Sequence, residues 1–152
     1  MNAEFMRSQV LEFVKKMKSR DHVVLFYTNQ EDKNEVLFTY LRAGLERRQA
    51  AAYVASQQTP EETKQKMREF GIDVDKYEQK GALQVMDYKN WYIIDGKFDP
   101  AKTMQMWKNM LAESKKMGFK GLRVTGEMSC FFDNNMTREL VDYERSLHRT
   151  LD

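Results

Sequence analysis

One cysteine, two histidines, two prolines and only seven glycines in 152 residues rule out several classes of protein before any motif is read. Cys130 alone cannot close an internal disulfide, which makes a reducing, cytoplasmic setting the default. His22 and His148 lie near opposite ends of the chain, and no Cys/His cluster supplies the ligand spacing of a metal centre. No apolar stretch approaches the roughly 18–20 residues that span a bilayer. Residues 1–20 are charged throughout and lack the apolar core of a secretory leader. Excess charge is missing too. The 25 basic and 23 acidic side chains leave +2, without the dense basic footprint of a direct nucleic-acid binder. The first strand–loop–helix junction, Phe26-Tyr27-Thr28-Asn29-Gln30-Glu31-Asp32-Lys33, holds no glycine. It sets two acids at the helix start, where they repel phosphate. No Gly-x-Gly-x-x-Gly occurs either. Neither P-loop hydrolysis nor a dinucleotide site is supported, and no cofactor is expected.

What is present fits one domain with a real core. The chain is 41% hydrophobic and 32% charged, a globular balance. Eleven methionines suit an irregular core or an adaptable binding surface. Met6, Val10, Phe13 and Met17 form one stripe and predict a helix over 4–19, its end crowded by Lys15, Lys16, Lys18 and Arg20. The stripe leaves open whether this helix packs on its own domain or on a second copy. Strands are predicted at 23–27, 50–55, 81–87 and 120–125, with a short one at 91–94. Helices are predicted at 31–48, 60–70, 72–80, 100–118 and 136–151, with Thr59, Asp73 and Asp99 as N-caps. Residues 130–135 read as a loop. On the helix over 100–118 Met104, Trp107, Leu111 and Ser114 are expected inside, and on the last helix Leu140, Tyr143, Leu147 and Leu151. Strands alternating with helices predict an α/β fold: three layers, a mostly parallel sheet with helices on both faces. The expected division is an amphipathic N-terminal helix, 1–19, and a domain over 20–152.

The chain is organised around residues 120–129. A strand carrying Leu122, Arg123, Val124 and Thr125 stops at Gly126 and hands over to Glu127, Met128, Ser129 and Cys130. Ligands of open α/β sheets bind outside the carboxyl ends of the strands. Tyr27, Thr28, Asn29, Ser56, Asp87, Glu127 and Ser129 are expected to converge there. Trp91, Tyr92, Met128 and Phe131 are candidate apolar walls. Each has a plainer reading. Trp91 and Tyr92 also suit a core, Glu127 a polar turn or a charge pair with Arg123, and Cys130 a small buried thiol.

These residues also resemble a family. His22 before a hydrophobic strand ending at Tyr27, Ala52-Tyr53-Val54-Ala55 followed by Thr59-Pro60-Glu61-Glu62, Asp95-Gly96-Lys97-Phe98-Asp99-Pro100, and the stretch 121–129 together resemble the MEDS domain, the methanogen/methylotroph sensory domain. Tyr143-Glu144-Arg145 and Leu147 fit as well. The resemblance covers about residues 20–151. It implies a RecA/KaiC-like core lacking a Walker A loop, in a prokaryotic module that senses small hydrocarbon derivatives. It also implies a histidine kinase or transcription regulator as partner, and His22, Tyr27, Arg123, Gly126 and Glu127 as site residues.

The preferred expectation is a non-enzymatic sensory domain that binds a small apolar ligand, with Glu127 and Tyr27 orienting it. The alternative is an interaction module that forms a homodimer through the N-terminal helix. The third, an enzyme with Glu127 as general base, has no substrate to name. No membrane association is expected.

Overall fold

The structure, a computed structural model, describes residues 2–19 and 21–151, without the side chains of His148, Thr150 and Leu151. Arg20, His148 and the expected inner position of Leu151 therefore lie outside the described residues. Among the described residues, seven α-helices and five strands, with a single 3-10 turn at Tyr88–Asn90, follow one another as α1 (Ala3–Lys15), α2 (Gln30–Glu46), β1 (Ala50–Ala55), α3 (Pro60–Phe70), α4 (Val74–Gln79), β2 (Leu83–Asp87), β3 (Ile93–Ile94), β4 (Lys97–Phe98), α5 (Pro100–Lys116), β5 (Leu122–Gly126), α6 (Ser129–Asp133) and α7 (Thr137–Leu151).

The helix starts follow local chemistry. Thr59 accepts from the Glu62 amide, and Glu62 reaches back to the Thr59 amide, closing a capping box. Asn29, Asp73 and Asp99 cap α2, α4 and α5 with their side chains. Gly71 ends α3 at φ 108°, a left-handed conformation that glycine adopts without steric cost.

β1 lies at the centre of a parallel sheet in the order β2-β1-β5. Because side chains alternate along a strand, β1 sends Ala51, Tyr53 and Ala55 to one face and Ala52 and Val54 to the other. The first face packs against Phe38, Leu41 and Leu45 of α2, Met67 of α3 and Val74 of α4. The second packs against Met110 of α5, Phe131 of α6, Leu140 and Tyr143 of α7, and Trp91, Tyr92 and Ile93. The fold is thus α/β with helices on both faces of the sheet, as expected.

Four local expectations change. Residues 130–135 are not all loop, because α6 occupies Ser129–Asp133 and buries Cys130 and Phe131. The short strand expected at 91–94 is the hairpin β3–β4, turning at Asp95-Gly96. On α5, Thr103 and Met110 are buried while Leu111 is exposed.

The largest change concerns 23–27, which forms no strand. Among the described residues, 23–28 make no backbone–backbone hydrogen bond, and Val23, Val24 and Phe26 are exposed. Tyr40 of α2 lies against Arg123 of β5, its carbonyl accepting from the guanidinium at 2.9 Å, while 23–28 stay unpaired. The segment is held by side chains instead: His22 Nε2 lies 2.8 Å from Glu144, and the Tyr27 hydroxyl donates to Gln57 at 2.7 Å.

Candidate functional site

β1 ends at Ala55 and β5 at Gly126, and the residues just beyond them meet. The Glu127 amide donates to Val54 carbonyl at 3.0 Å, which keeps Glu127 alongside β1. Its carboxylate turns toward α2 and is almost fully buried. Oε1 accepts from Lys33 Nζ at 2.8 Å and from the Tyr53 hydroxyl. Oε2 accepts from the backbone N–H groups of Ser56, at 3.0 Å, and Gln57, at 2.8 Å. Those four bonds fill a carboxylate's acceptor positions. Lys33 comes from the start of α2 and is equally buried, so one ion pair ties α2, β1 and β5 together.

Burial alone pushes the Glu127 carboxyl up. The hydrogen bonds from Lys33, Tyr53 and Gln57 outweigh it and hold the group below the usual carboxylate range. Tyr53 moves the other way, well above an ordinary phenol, because it is buried beside that carboxylate. At neutral pH the node is therefore a carboxylate held by an ammonium, a neutral phenol and two amides.

A polar rim surrounds it. The Ser56 and Ser129 hydroxyls are 2.8 Å apart, bonding the loop after β1 to the start of α6. Gln57 accepts from the Tyr27 hydroxyl and from the Gln30 side-chain amide. The Lys33 ammonium lies 5.9 Å from the Tyr27 ring centroid, a cation–π distance. Burial, and then the charge of Glu127, raise the Tyr27 pKa.

Of the residues expected at this edge, Tyr27, Ser56, Glu127 and Ser129 come together here. The others lie elsewhere. Asn29 caps α2, Asp87 accepts from the Lys89 amide, and Thr28 is exposed. Arg123 points to the α2 face and grips α1 carbonyls, so it makes no pair with Glu127. Trp91 and Tyr92 belong to the second core, with Met128 packed against it. Cys130 is buried beneath the rim, and burial pushes its thiol up to about 11, so it stays protonated. Gly126 has a specific reason to be glycine: an added Cβ would fall 2.1 Å from the Tyr92 hydroxyl oxygen.

Lys33, Tyr53, Gln57 and Gln30 are the residues sequence reading missed. A signal for Lys33 existed. It sits in the first turns of α2 and is a cation able to neutralise an acid at the facing strand end. Two open cavities, about 260 and 360 Å³, lie along α1 and α2, and neither is lined by a residue of this rim.

A family profile for MEDS, described as the methanogen/methylotroph, DcmR sensory domain, matches residues 21–152. The chain belongs to the MEDS family. No curated protein and no solved structure matches it. MEDS is a sensory-domain family, so the Glu127 node and its rim sit within a sensory fold. The match begins at Asp21, which leaves α1 outside the MEDS region. Among the described residues of this MEDS domain, no helix is long and apolar enough to cross a membrane.

Gly126→Ala is expected to destabilise the domain by about 1–3 kcal/mol, the usual range for overpacking. Tyr92→Phe in the same chain should restore part of the loss by removing the closest atom. Thermal melts of the single and double variants check this.

Proposed function

We propose that this MEDS domain is a non-enzymatic cytoplasmic sensor. It takes a small apolar ligand at the carboxyl edge of the sheet and signals to a kinase or transcription regulator. The observation that carries this reading is the occupancy of Glu127. A general base needs a free acceptor to take a proton, and all the acceptor positions of this carboxylate are filled. Cys130, with its thiol pushed up to about 11, is equally unsuited to nucleophilic work.

The input element is the segment 22–28. It is anchored by side chains at His22 and Tyr27, so a ligand that displaces one side-chain contact can move it. Tyr27, Gln57, Ser56 and Ser129 border the place where the ligand enters. The buried ion pair keeps the floor beneath it fixed.

Native mass spectrometry of the purified protein tests the reading. A bound small molecule is expected in the wild type and reduced in Tyr27→Phe, which keeps the ring and removes only the bond to Gln57. An empty wild type that also shows no thermal shift across a panel of small apolar compounds overturns it.

A further inference from the structure

Between α1 and α2 the chain follows the outer side of β5. Before this stretch, the Met17 carbonyl accepts from Arg123 near the start of β5. After it, the Tyr27 ring lies beside Lys33, the partner of Glu127 just past the end of β5. The chain thus runs in the direction of β5. From His22 to Tyr27 it can cover about 16 Å as a strand, enough to run the length of β5. Its anchors also have the parity of a strand. His22 reaches Glu144 of α7, on the second face of the sheet, while Tyr27 lies by Lys33 on the α2 face. Side chains an odd number of residues apart in an extended segment point to opposite faces. On that count Val24 and Phe26 go with His22, and Val23 and Leu25 with Tyr27. Leu25 is already half-buried.

β5 offers the matching edge, because it is the last strand on its side of the sheet. The Ala50 amide donates to the Gly121 carbonyl and the Glu127 amide to the Val54 carbonyl. The odd-numbered backbone groups here therefore face β1. Those of Leu122, Val124 and Gly126 face outward, where no strand among the described residues meets them. One side chain at this edge is bare as well. Val124 is 38% exposed, whereas Ala52, its neighbour in register on β1, is fully buried. Val24 and Phe26, which share the face of Val124, are 56% and 90% exposed.

We propose that residues 23–27 are a strap that closes onto β5 as a fourth, parallel strand. In the closed form Val24 or Phe26 lies beside Val124 and covers it. The N–H groups of Val23, Leu25 and Tyr27 then face β5, and those of Val24 and Phe26 face solvent. Closure removes apolar surface from water and completes a ladder on both sides of β5. A second copy lending its strap fits less well, because each strap is held at both ends within its own chain. The strap ends at Tyr27, so closing it changes what the rim presents. That use rests on the sensor reading above, whereas the closure itself needs no ligand.

Paired cysteines in the full chain are the test. Neighbouring strands lie about 4.8 Å apart, within the span of a disulfide. Mild oxidation should close an intramolecular disulfide in Val24→Cys with Val124→Cys or in Phe26→Cys with Val124→Cys. It should not do so in Val23→Cys with Val124→Cys, whose side chains lie on opposite faces. All four positions are exposed, so the variants fold, and Cys130 is buried and does not interfere. In the linked chain the Leu25 amide should exchange at least about tenfold more slowly than those at positions 24 and 26, the mark of a one-sided ladder. Failure of both same-face pairs to link overturns the proposal. So does a link from position 23 that forms as readily, or a Leu25 amide as fast as its neighbours. A link formed only between two chains overturns it in favour of an edge shared by two copies. These readouts involve no ligand, so the strap and the sensor reading fail separately.

Discussion

Glu127→Ala is expected to cost about 3–5 kcal/mol, a large share of a small domain's stability. The cost comes from what stays behind. Lys33 keeps a charge in a site 1% exposed, Tyr53 loses its acceptor, and the Ser56 and Gln57 amides lose theirs. Breaking a buried pair from one side strands the other charge, which costs more than replacing both partners with apolar groups. The paired variant Lys33→Met with Glu127→Leu should therefore be more stable than Glu127→Ala alone, though below the wild type, because the tyrosine and the two amides still lack acceptors. Urea unfolding of all three checks the order. A Glu127→Ala protein as stable as the wild type would show that Lys33 escapes to solvent.

The same carboxylate sets an acid limit. Its pKa is lower folded than unfolded, so folding gains stability from it once the pH is above the unfolded carboxylate value, about 4.3. That gain is lost as the pH falls below this value and through the folded pKa. Other carboxylates add their own slopes, so the useful quantity is the difference between the wild type and Glu127→Gln. It should be largest near neutrality and shrink below about pH 4.

The core was legible because its signals are local and repeated. β1 reads as six small or apolar residues in a row, and α3 carries Thr59, Pro60, Glu62 and Gly71 in the order that starts and stops a helix. The segment 23–27 misled because a β-branched, aromatic run says only that a strand can form. Whether it pairs depends on the tertiary setting, and here the segment is held by the side chains of His22 and Tyr27 instead of a ladder. The candidate site was half legible for a similar reason. The carboxyl-end rule brings Glu127, Ser56 and Ser129 together from strand endings alone. Lys33 and Tyr53 reach Glu127 across 94 and 74 residues of sequence, a pairing set by how α2 lies on the sheet. Arg123 sits four residues from Glu127, yet it serves the far end of the strand.

Arg123→Met is expected to free α1 from the domain and to remove about 3 kcal/mol of stability. The guanidinium has five N–H donors, and all five are used. Nε donates to the Gln49 side chain at 2.8 Å, and Nη1 to the carbonyls of Tyr40 at 2.9 Å and Val14 at 3.2 Å. Nη2 donates to the carbonyls of Lys15 at 3.1 Å and Met17 at 3.3 Å. Three of these acceptors lie at the C-terminal end of α1, where helix carbonyls lack partners and a cation meets the negative end of the dipole. Gly44 leaves room for the side chain, since a Cβ there would fall 2.5 Å from Arg123 Cδ. Lysine cannot substitute, as it lacks the planar fork that serves several carbonyls at once. Without Arg123, α1 keeps the exposed Arg7 pair and the contact of Arg47 with Lys15, and exposed ion pairs contribute little. Amide hydrogen exchange should show residues 6–16 losing protection in Arg123→Met while β1 and β2 keep theirs. Retained protection across 6–16 would transfer the hold on α1 to Val14 and its apolar packing.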